Sequence, residues 1–238
     1  MAQATKKSEY KSLRKIQQIQ QEKQRKRMKQ LFWITGIVVA ALIIVAVIFA
    51  PKPGVVSFNY DELPTLGKTD APIKIVEFGD YKCPSCKIFS QEIEPQLKKD
   101  YIDNGTVSLS FMNFTIIDPD SVTAALAAQS IYHQNNEAFW GFYDSIYKNQ
   151  GQEHVTWATP EFLTNLAKQE KLDVDYDKLN SDITSAKYQS EVDSHNSKAR
   201  QLNVQSTPTL FINGVMFEDV FDYEALKKAI EQAQKDLK

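Results

Sequence analysis

Cysteine and histidine are scarce in this chain, which holds two cysteines and three histidines among 238 residues. A structural zinc site needs four ligands, and Cys83 and Cys86 supply two. The histidines His133, His154 and His195 are scattered and show no ligand spacing. We therefore predict no metal site. A metal-binding or adaptor module that uses the pair as a half-site is the alternative, although the CPSC motif contains neither histidine nor methionine.

Acidic residues are nearly missing from the start of the chain. Residues 1–30 carry ten lysines and arginines against two acids, a net charge of +8. Residues 31–50 carry no charge, and residues 51–238 hold the balance of −10. This charge asymmetry indicates that the basic tail and the acidic remainder are separate parts of the protein. No nucleic-acid-binding motif accompanies the basic run, so we expect no nucleic-acid partner.

The uncharged segment is LFWITGIVVAALIIVAVIFA, residues 31–50. At about 1.5 Å per residue, its helix would span the roughly 30 Å hydrocarbon core of a bilayer. A buried core helix would normally show one polar face, which is missing here. A cleavable signal would have a shorter apolar region with small residues before the cut, where this segment has Ile48 and then Pro51. The segment predicts an uncleaved transmembrane anchor.

The basic flank sets the expected orientation, because positive residues tend to stay in the cytoplasm. Residues 1–30 are then a cytoplasmic tail, and the chain is a single-pass protein of the cell membrane whose remainder is extracytoplasmic. Proline and glycine punctuate residues 51–72, which we interpret as a linker and lead-in. We expect the folded domain at residues 73–238.

The element order predicted for this domain is β-α-β, a helical block, then β-β-α. The short, apolar run IKIVEFG, 73–79, indicates a buried strand, and residues 106–114 indicate a second one. A helix is expected between them, bent at Pro95. Residues from about 118 to 202 show no clear strand and predict consecutive helices, the last one long and polar at 175–202.

Two signals mark the end of the chain. Asn213-Gly214 is typical of a hairpin turn between two short strands. Asp222 is a suitable N-cap for a closing helix.

The cysteine pair lies in CPSC at the predicted start of the first helix. A stapling disulfide across so short a loop would contribute about 2 kcal/mol, against about 4.7 kcal/mol for a hundred-residue loop. A redox pair explains the spacing better, because unpaired N–H groups and the helix dipole stabilise a thiolate at Cys83. Cys86, almost one turn on, can close the disulfide or resolve a mixed one. Pro84 stiffens the turn and Ser85 offers a hydroxyl, so both are expected to tune the pair.

Glu77 shares a strand face with Ile73 and Ile75, because side chains alternate along a strand. If that face is buried, Glu77 is a buried carboxylate that could take or give the proton of Cys86 during exchange. If the strand lies at the edge of the sheet, the same acid is exposed to solvent. Glu77 is therefore a candidate catalytic residue with both interpretations open.

Together these features resemble the thioredoxin superfamily. The strand IVEFGDY, CPSC at a helix start, an acid six residues before the first cysteine and TPT before a hairpin make up its pattern. The helical block is similar to that of the DsbA-like branch. The run LGKTDAPIKIVEFGDYKCPSC closely resembles the membrane-anchored, BdbD-like thiol oxidases of Gram-positive bacteria. The resemblance covers about residues 64–236. It implies an α/β, thioredoxin-like fold with a helical insertion between the second and third core strands, preceded by one transmembrane helix.

The resemblance also implies roles for individual residues. Cys83 would be the nucleophile, Cys86 its partner and Glu77 the buried acid. Pro208 would be a cis proline, and the backbone of Thr207 would pair with an extended substrate peptide. From the residues alone a cis bond cannot be read, since only about 5–6% of X–Pro bonds in folded proteins are cis.

The implied function is an extracytoplasmic thiol–disulfide oxidoreductase that introduces disulfides into secreted or surface proteins. It would need no cofactor beyond its own redox-active disulfide. Its partners would be reduced secreted or surface proteins and an integral-membrane, quinone-linked, DsbB-like reoxidase.

The direction of electron flow depends on the dipeptide between the cysteines. The best known DsbA-type oxidases have histidine there, where this chain has Ser85. Loss of a histidine near the thiolate would reduce the oxidising power of the pair. A membrane-tethered disulfide reductase of an extracytoplasmic pathway is therefore the alternative function. An isomerase is a weaker rival, because no added dimerisation domain is visible.

Overall fold

A mixed sheet, with its strands in the order β1-β3-β2-β4-β5, forms the centre of the described domain. Its strands are β1 Thr65–Leu66, β2 Ile73–Gly79, β3 Val107–Asn113, β4 Thr209–Ile212 and β5 Val215–Phe217. β2 runs parallel to β3 and antiparallel to β4, and the other neighbouring strands are antiparallel. The strands predicted at 73–79 and 106–114 are thus confirmed, and they lie in the interior of the sheet.

The computed structural model describes residues 28, 32, 33, 35, 36 and 54–237. The chain divides into two units, Met1–Lys52 and Pro53–Lys238. In the first unit the described residues are helical. Otherwise the predicted tail at 1–30 and the predicted anchor at 31–50 lie outside the described residues. Over the described part of the chain, no helix has the length and apolar character needed to cross a membrane.

The segment before β2 belongs to the folded domain, although the sequence suggested a linker and lead-in over 51–72. Within it, β1 pairs with β3, and the N–H of Val56 donates to the carbonyl of Gly214 at 2.9 Å. The ring of Phe58 packs against those of Phe78 and Phe211, with centroids 6.1 and 5.4 Å apart. The domain therefore begins well before residue 73, because this segment covers an apolar face of the sheet.

A helical run follows β2 and carries the cysteine pair at its start. It consists of α1 Pro84–Ile88, a π-helical stretch Phe89–Ile93, α2 Glu94–Leu97 and a second π-helical stretch Lys98–Ile102. Pro84 occupies the first helical turn, where its missing N–H costs no intrahelical hydrogen bond. The hydrogen-bonding pattern changes on both sides of Pro95, which lacks an N–H to donate. The helix is thus irregular where the sequence predicts a bend.

The chain between β3 and β4 is helical, as predicted. Its helices are α3 Pro119–Tyr132, α4 Asn136–Lys148, α5 Pro160–Gln169, α6 Tyr176–Thr184 and α7 Gln189–Gln201. The prediction of one long helix at 175–202 is wrong, because a short non-helical segment separates α6 from α7. Ala186 lies in the left-handed region there, with φ of 51°. Helix α8, Tyr223–Asp236, closes the domain, and its N-cap Asp222 accepts a hydrogen bond from the N–H of Ala225 at 3.0 Å, as predicted.

The two faces of β2 pack into different clusters. Ile73 and Ile75 lie in the larger cluster, which also contains Cys86 and side chains of the helical block. Val76 and Phe78 lie in the cluster covered by the lead-in segment. Alternation places Glu77 on the face of Ile73 and Ile75, and its side chain has no exposed surface. The interpretation of Glu77 as an exposed edge residue is therefore wrong.

Candidate functional site

Cys83 is the N-cap residue of α1 and lies at the end of the turn that leaves β2. Its backbone is extended, and its N–H donates to the carbonyl of Asp80 at 3.0 Å. The sulfur faces the backbone N–H groups of Ser85 and Cys86, which belong to the first turn of α1. The sequence places the sulfur there because proline at position 84 starts the helix directly after the cysteine.

The two thiols are free and differ in acidity. A hydrogen bond with the Cys86 thiol lowers the pKa of Cys83 to about 6, against the effect of burial, and the N–H groups of Cys86 and Ser85 add to this lowering. Burial raises the pKa of Cys86 well above its ordinary value, and the hydrogen bond to Cys83 and the charge of Glu77 raise it further. The pair therefore combines one readily ionised thiol with one that holds its proton, an asymmetry suited to disulfide exchange.

Glu77 lies within the core on the cysteine side of the sheet. Its Oε2 accepts a hydrogen bond from the hydroxyl of Tyr143 on α4 at 2.8 Å. Burial raises the pKa of Glu77 to about 8. The bond from Tyr143 opposes this shift, and the charges of Glu94 and Cys83 add to it. At neutral pH this carboxyl is mainly protonated, so it can donate a proton as well as accept one.

A second buried acid, Glu94 on α2, acts on Glu77 from the helix side. Burial raises the pKa of Glu94 to about 7, and the charge of Asp144 raises it further, while that of Lys98 lowers it. The negative charge of an ionised Glu94 makes it harder for Glu77 to lose its proton. The burial of Glu94 could not be predicted from the sequence, since an acid within a polar helical segment is normally expected to be exposed.

Thr207 and Pro208 lie beside Cys83, although 124 positions separate Thr207 from it in the chain. The thiol of Cys83 donates to the carbonyl of Thr207 at 3.3 Å. The Thr207–Pro208 peptide bond is cis, as the resemblance implied. The structure thus brings together the residues singled out in the sequence, namely Cys83, Cys86, Glu77, Thr207 and Pro208, with Pro84 and Ser85 in the first helical turn.

The turn before Cys83 contains a buried lysine that the sequence did not single out. Lys82 has no exposed surface and forms ion pairs with Asp118, at 3.2 Å, and with Asp120. The two acids lie at the N-terminus of α3, 36 and 38 residues away. A lysine is normally exposed, so only the folded chain reveals that this one is a fully paired core residue.

The histidines have separate partners. His133 pairs with Glu191 at 2.8 Å, His154 lies 3.8 Å from Asp118, and the ring of His195 accepts a hydrogen bond from the N–H of Asn113 at 3.3 Å. Across the described residues, no group of three or more histidines, cysteines or acids is placed to hold a metal ion.

Comparison with known proteins relates this geometry to disulfide chemistry. The pattern of the family described as thioredoxin matches residues 60–232. The probable disulfide bond formation protein D of Bacillus anthracis is 38% identical over 205 residues, which cover 86% of this chain and 94% of that protein.

Solved structures show the same relationship. Oxidised BdbD from Bacillus subtilis matches with a TM-score of 0.70 and 34% identity, covering 77% of this chain and 96% of that chain. DsbA from Chlamydia trachomatis matches with a TM-score of 0.67 and 28% identity, covering 78% of this chain and 97% of that chain.

Proposed function

Since the chain belongs to the thioredoxin family and is a protein thiol–disulfide oxidoreductase of the DsbA-like kind, we propose that it donates a Cys83–Cys86 disulfide to reduced proteins outside the cytoplasm. One observation carries the proposal, namely the acidic thiol of Cys83 beside the buried, non-acidic thiol of Cys86. A stabilised thiolate favours the reduced form of the pair, so the disulfide form tends to oxidise its substrates.

The exchange proceeds in two steps. A substrate thiolate attacks the sulfur of Cys83, the Cys83–Cys86 bond breaks, and the electron pair leaves with Cys86. A second substrate thiolate then attacks the substrate sulfur of the mixed disulfide and releases Cys83 as a thiolate. The substrate loses two electrons and gains a disulfide, and the enzyme is left as a dithiol. Cys83 is a good leaving group because its pKa of about 6 keeps it ionised at neutral pH.

Glu77 supplies the proton for the first step. The thiolate of Cys86 forms in a buried site, where the ionised state is strongly disfavoured. A protonated Glu77 neutralises it, and the carboxylate is reprotonated from solvent. Among the described residues, Oε1 of Glu77 has no hydrogen-bond partner, so this oxygen is available for the transfer.

Thr207 and Pro208 orient the substrate. The carbonyl of Thr207 accepts the Cys83 thiol in this structure, and it loses that donor when the sulfur forms a mixed disulfide. A backbone N–H of an extended substrate peptide then takes its place. Pro84 and Ser85 set the acidity of Cys83 through the geometry of the first helical turn.

The location and partners rest on the sequence and on the relatives. Residues 31–50 would anchor the protein in the cell membrane, with residues 1–30 in the cytoplasm and the redox domain outside. The substrates would be reduced secreted or surface proteins. An integral-membrane, quinone-linked, DsbB-like protein would reoxidise the pair.

A membrane-tethered reductase is the second candidate. The observation in its favour is the pKa of about 6 for Cys83, which lies closer to the value of about 7 for thioredoxin than to the value of about 3.5 for DsbA. The chemistry would then run in reverse, with the Cys83 thiolate attacking a substrate disulfide.

The test is the refolding of an enzyme whose native disulfides have been reduced. The oxidised wild-type chain should restore the activity of that test enzyme, and Cys83→Ser should not. Cys86→Ala, supplied as the Cys83–glutathione adduct, should accumulate a mixed disulfide with a test peptide that carries a single cysteine, because the peptide thiolate displaces glutathione from Cys83 and no second substrate thiol is present to release it. Undiminished oxidation by Cys83→Ser would refute the proposal.

A further inference from the structure

Gln150, which follows α4, binds the backbone of the turn at residues 80–83, which we call the redox turn. Its Nε2 donates to the carbonyl of Tyr81 at 2.9 Å and to the carbonyl of Cys83 at 3.0 Å. One side-chain amide thus joins two carbonyls on either side of Lys82. The side chain is half-buried, so water competes less for these bonds than at an open surface.

The segment that carries Gln150 is fastened to the same turn at a second point. Nζ of Lys82 donates to the carbonyl of Val155 at 3.2 Å and pairs with Asp120. The other carboxylate oxygen of Asp120 accepts the N–H groups of Trp157 and Ala158, both at 3.0 Å. The backbone over 150–158 is therefore held against the redox turn. This restrains the position of Gln150 relative to the carbonyls that it binds.

The carbonyl of Cys83 connects Gln150 to the residue that carries the reactive thiol. It accepts the first helical hydrogen bond, from the N–H of Lys87 at 3.2 Å, together with the bond from Gln150. The orientation of this peptide group decides how the sulfur of Cys83 faces the N–H groups of Ser85 and Cys86. A second donor also withdraws negative charge from a carbonyl dipole close to the thiolate.

We propose that Gln150 is a positioning residue for the Cys83–Cys86 pair. Its amide fixes the peptide group of Cys83, so that the sulfur of Cys83 faces the N-terminus of α1. The inference rests on the proposed function, since it takes Cys83 as the reactive thiol. It adds a specific requirement, because the side chain of Gln150 donates its hydrogen bonds to the carbonyls of Tyr81 and Cys83 rather than to the sulfur.

Gln150→Met tests this inference, because methionine has a similar length and no donor. The rate of alkylation of Cys83 is measured against pH in the reduced full-length chain, together with the equilibrium with glutathione. Loss of a hydrogen bond of ordinary strength should shift the glutathione equilibrium about three- to tenfold toward the disulfide form and move the alkylation profile to higher pH. The matched control is Gln152→Met, since Gln152 is exposed on the same segment and, within the described part of the chain, its one hydrogen bond is made by its backbone carbonyl, to the N–H of Val155.

The outcomes separate the inference from the proposed function. If Gln150→Met lowers the melting temperature but alkylates and equilibrates like wild type, Gln150 is merely structural and the inference fails. If Gln150→Met does not fold, Gln150→Asn decides by the same two readouts, because its amide is one methylene too short to bridge both carbonyls. If Cys83 of the wild type is not the thiol alkylated at neutral pH, the proposed function itself fails.

Discussion

The hydroxyl of Tyr143 donates a 2.8 Å hydrogen bond to Glu77 Oε2 inside the core, across 66 positions of sequence. This bond ties the helical block to the sheet directly at the redox centre. It also shows how a buried acid is kept available, because one oxygen is occupied while the other has no partner among the described residues.

Glu77→Gln should make the folded domain more stable at pH 8 and leave its stability unchanged near pH 4. Below pH 4.5 both the folded and the unfolded chain hold the proton of Glu77. Between 4.5 and about 8 only the folded chain holds it, so rising pH favours unfolding in the wild type and not in the variant. Denaturant unfolding at the two pH values should show a gain of about 2–4 kcal/mol at pH 8. Glu92→Gln is the control, because Glu92 is exposed. An equal change at both pH values would contradict the assignment.

Cys86→Ala should raise the pKa of Cys83, because the hydrogen bond from the Cys86 thiol is the largest contribution that lowers it. Cys86→Ser retains a donor of similar size and should keep the value closer to wild type. The check is the absorbance of the thiolate near 240 nm as a function of pH in both variants. Titration of both variants at the wild-type pKa would mean that the Cys86 thiol does not lower the pKa of Cys83 and that the other contacts of the sulfur set its acidity.

Lys82→Met should destabilise the domain strongly at neutral pH, by about 3–5 kcal/mol, because it leaves the buried carboxylate of Asp120 without its cation. Burial alone would raise the pKa of Asp120, but the bonds from Lys82 and from two backbone N–H groups hold it below its ordinary value. The stability from this depressed pKa is present above the pKa of the unfolded chain and is lost as pH falls through the folded value. The cost of the substitution should therefore shrink in acid.

The exposed ion pair of Lys98 and Asp103 provides the comparison for Lys82. Their side chains are 45% and 56% exposed, so Lys98→Met should change the free energy of unfolding by about 1 kcal/mol or less. Comparable losses for the two lysine variants would show that the Lys82 cluster is not a buried ion pair.

Gly214→Ala should loosen the lead-in segment from the sheet. Gly214 has φ of +81°, and a Cβ there would lie 2.0 Å from the carbonyl oxygen of Val56, so both the turn and the backbone contact would have to shift. We expect a loss of about 1–3 kcal/mol in denaturant unfolding. Gly54→Ala is the control, since a Cβ there meets nothing within 4 Å. Equal stability of the two variants would mean that the contact with Val56 is unimportant.

Local pattern was sufficient to predict where three of the candidate residues lie. Cys83 and Cys86 stood out by their spacing, and strand alternation placed Glu77 on the face of Ile73 and Ile75. The cis bond at Pro208 came from resemblance, because local sequence does not determine the isomer.

The supporting residues could not be predicted in this way. Tyr143, Lys82 and Gln150 each act on groups 36 or more positions away, and none has a distinctive local pattern. The break at Ala186 was missed for a related reason. Its left-handed φ occurs without glycine or proline, so it depends on tertiary packing rather than on intrinsic helix propensity.

The equilibrium of the Cys83–Cys86 pair with glutathione, measured at pH 7 on the full-length protein in detergent, is the direct test of oxidase function. If the pair donates disulfides, as we propose, its reduction potential should lie above about −180 mV, the value of protein disulfide isomerase, even though the pKa of about 6 at Cys83 is closer to that of thioredoxin than to that of DsbA. A potential near −270 mV, about that of thioredoxin, would contradict the proposal and assign the chain to disulfide reduction.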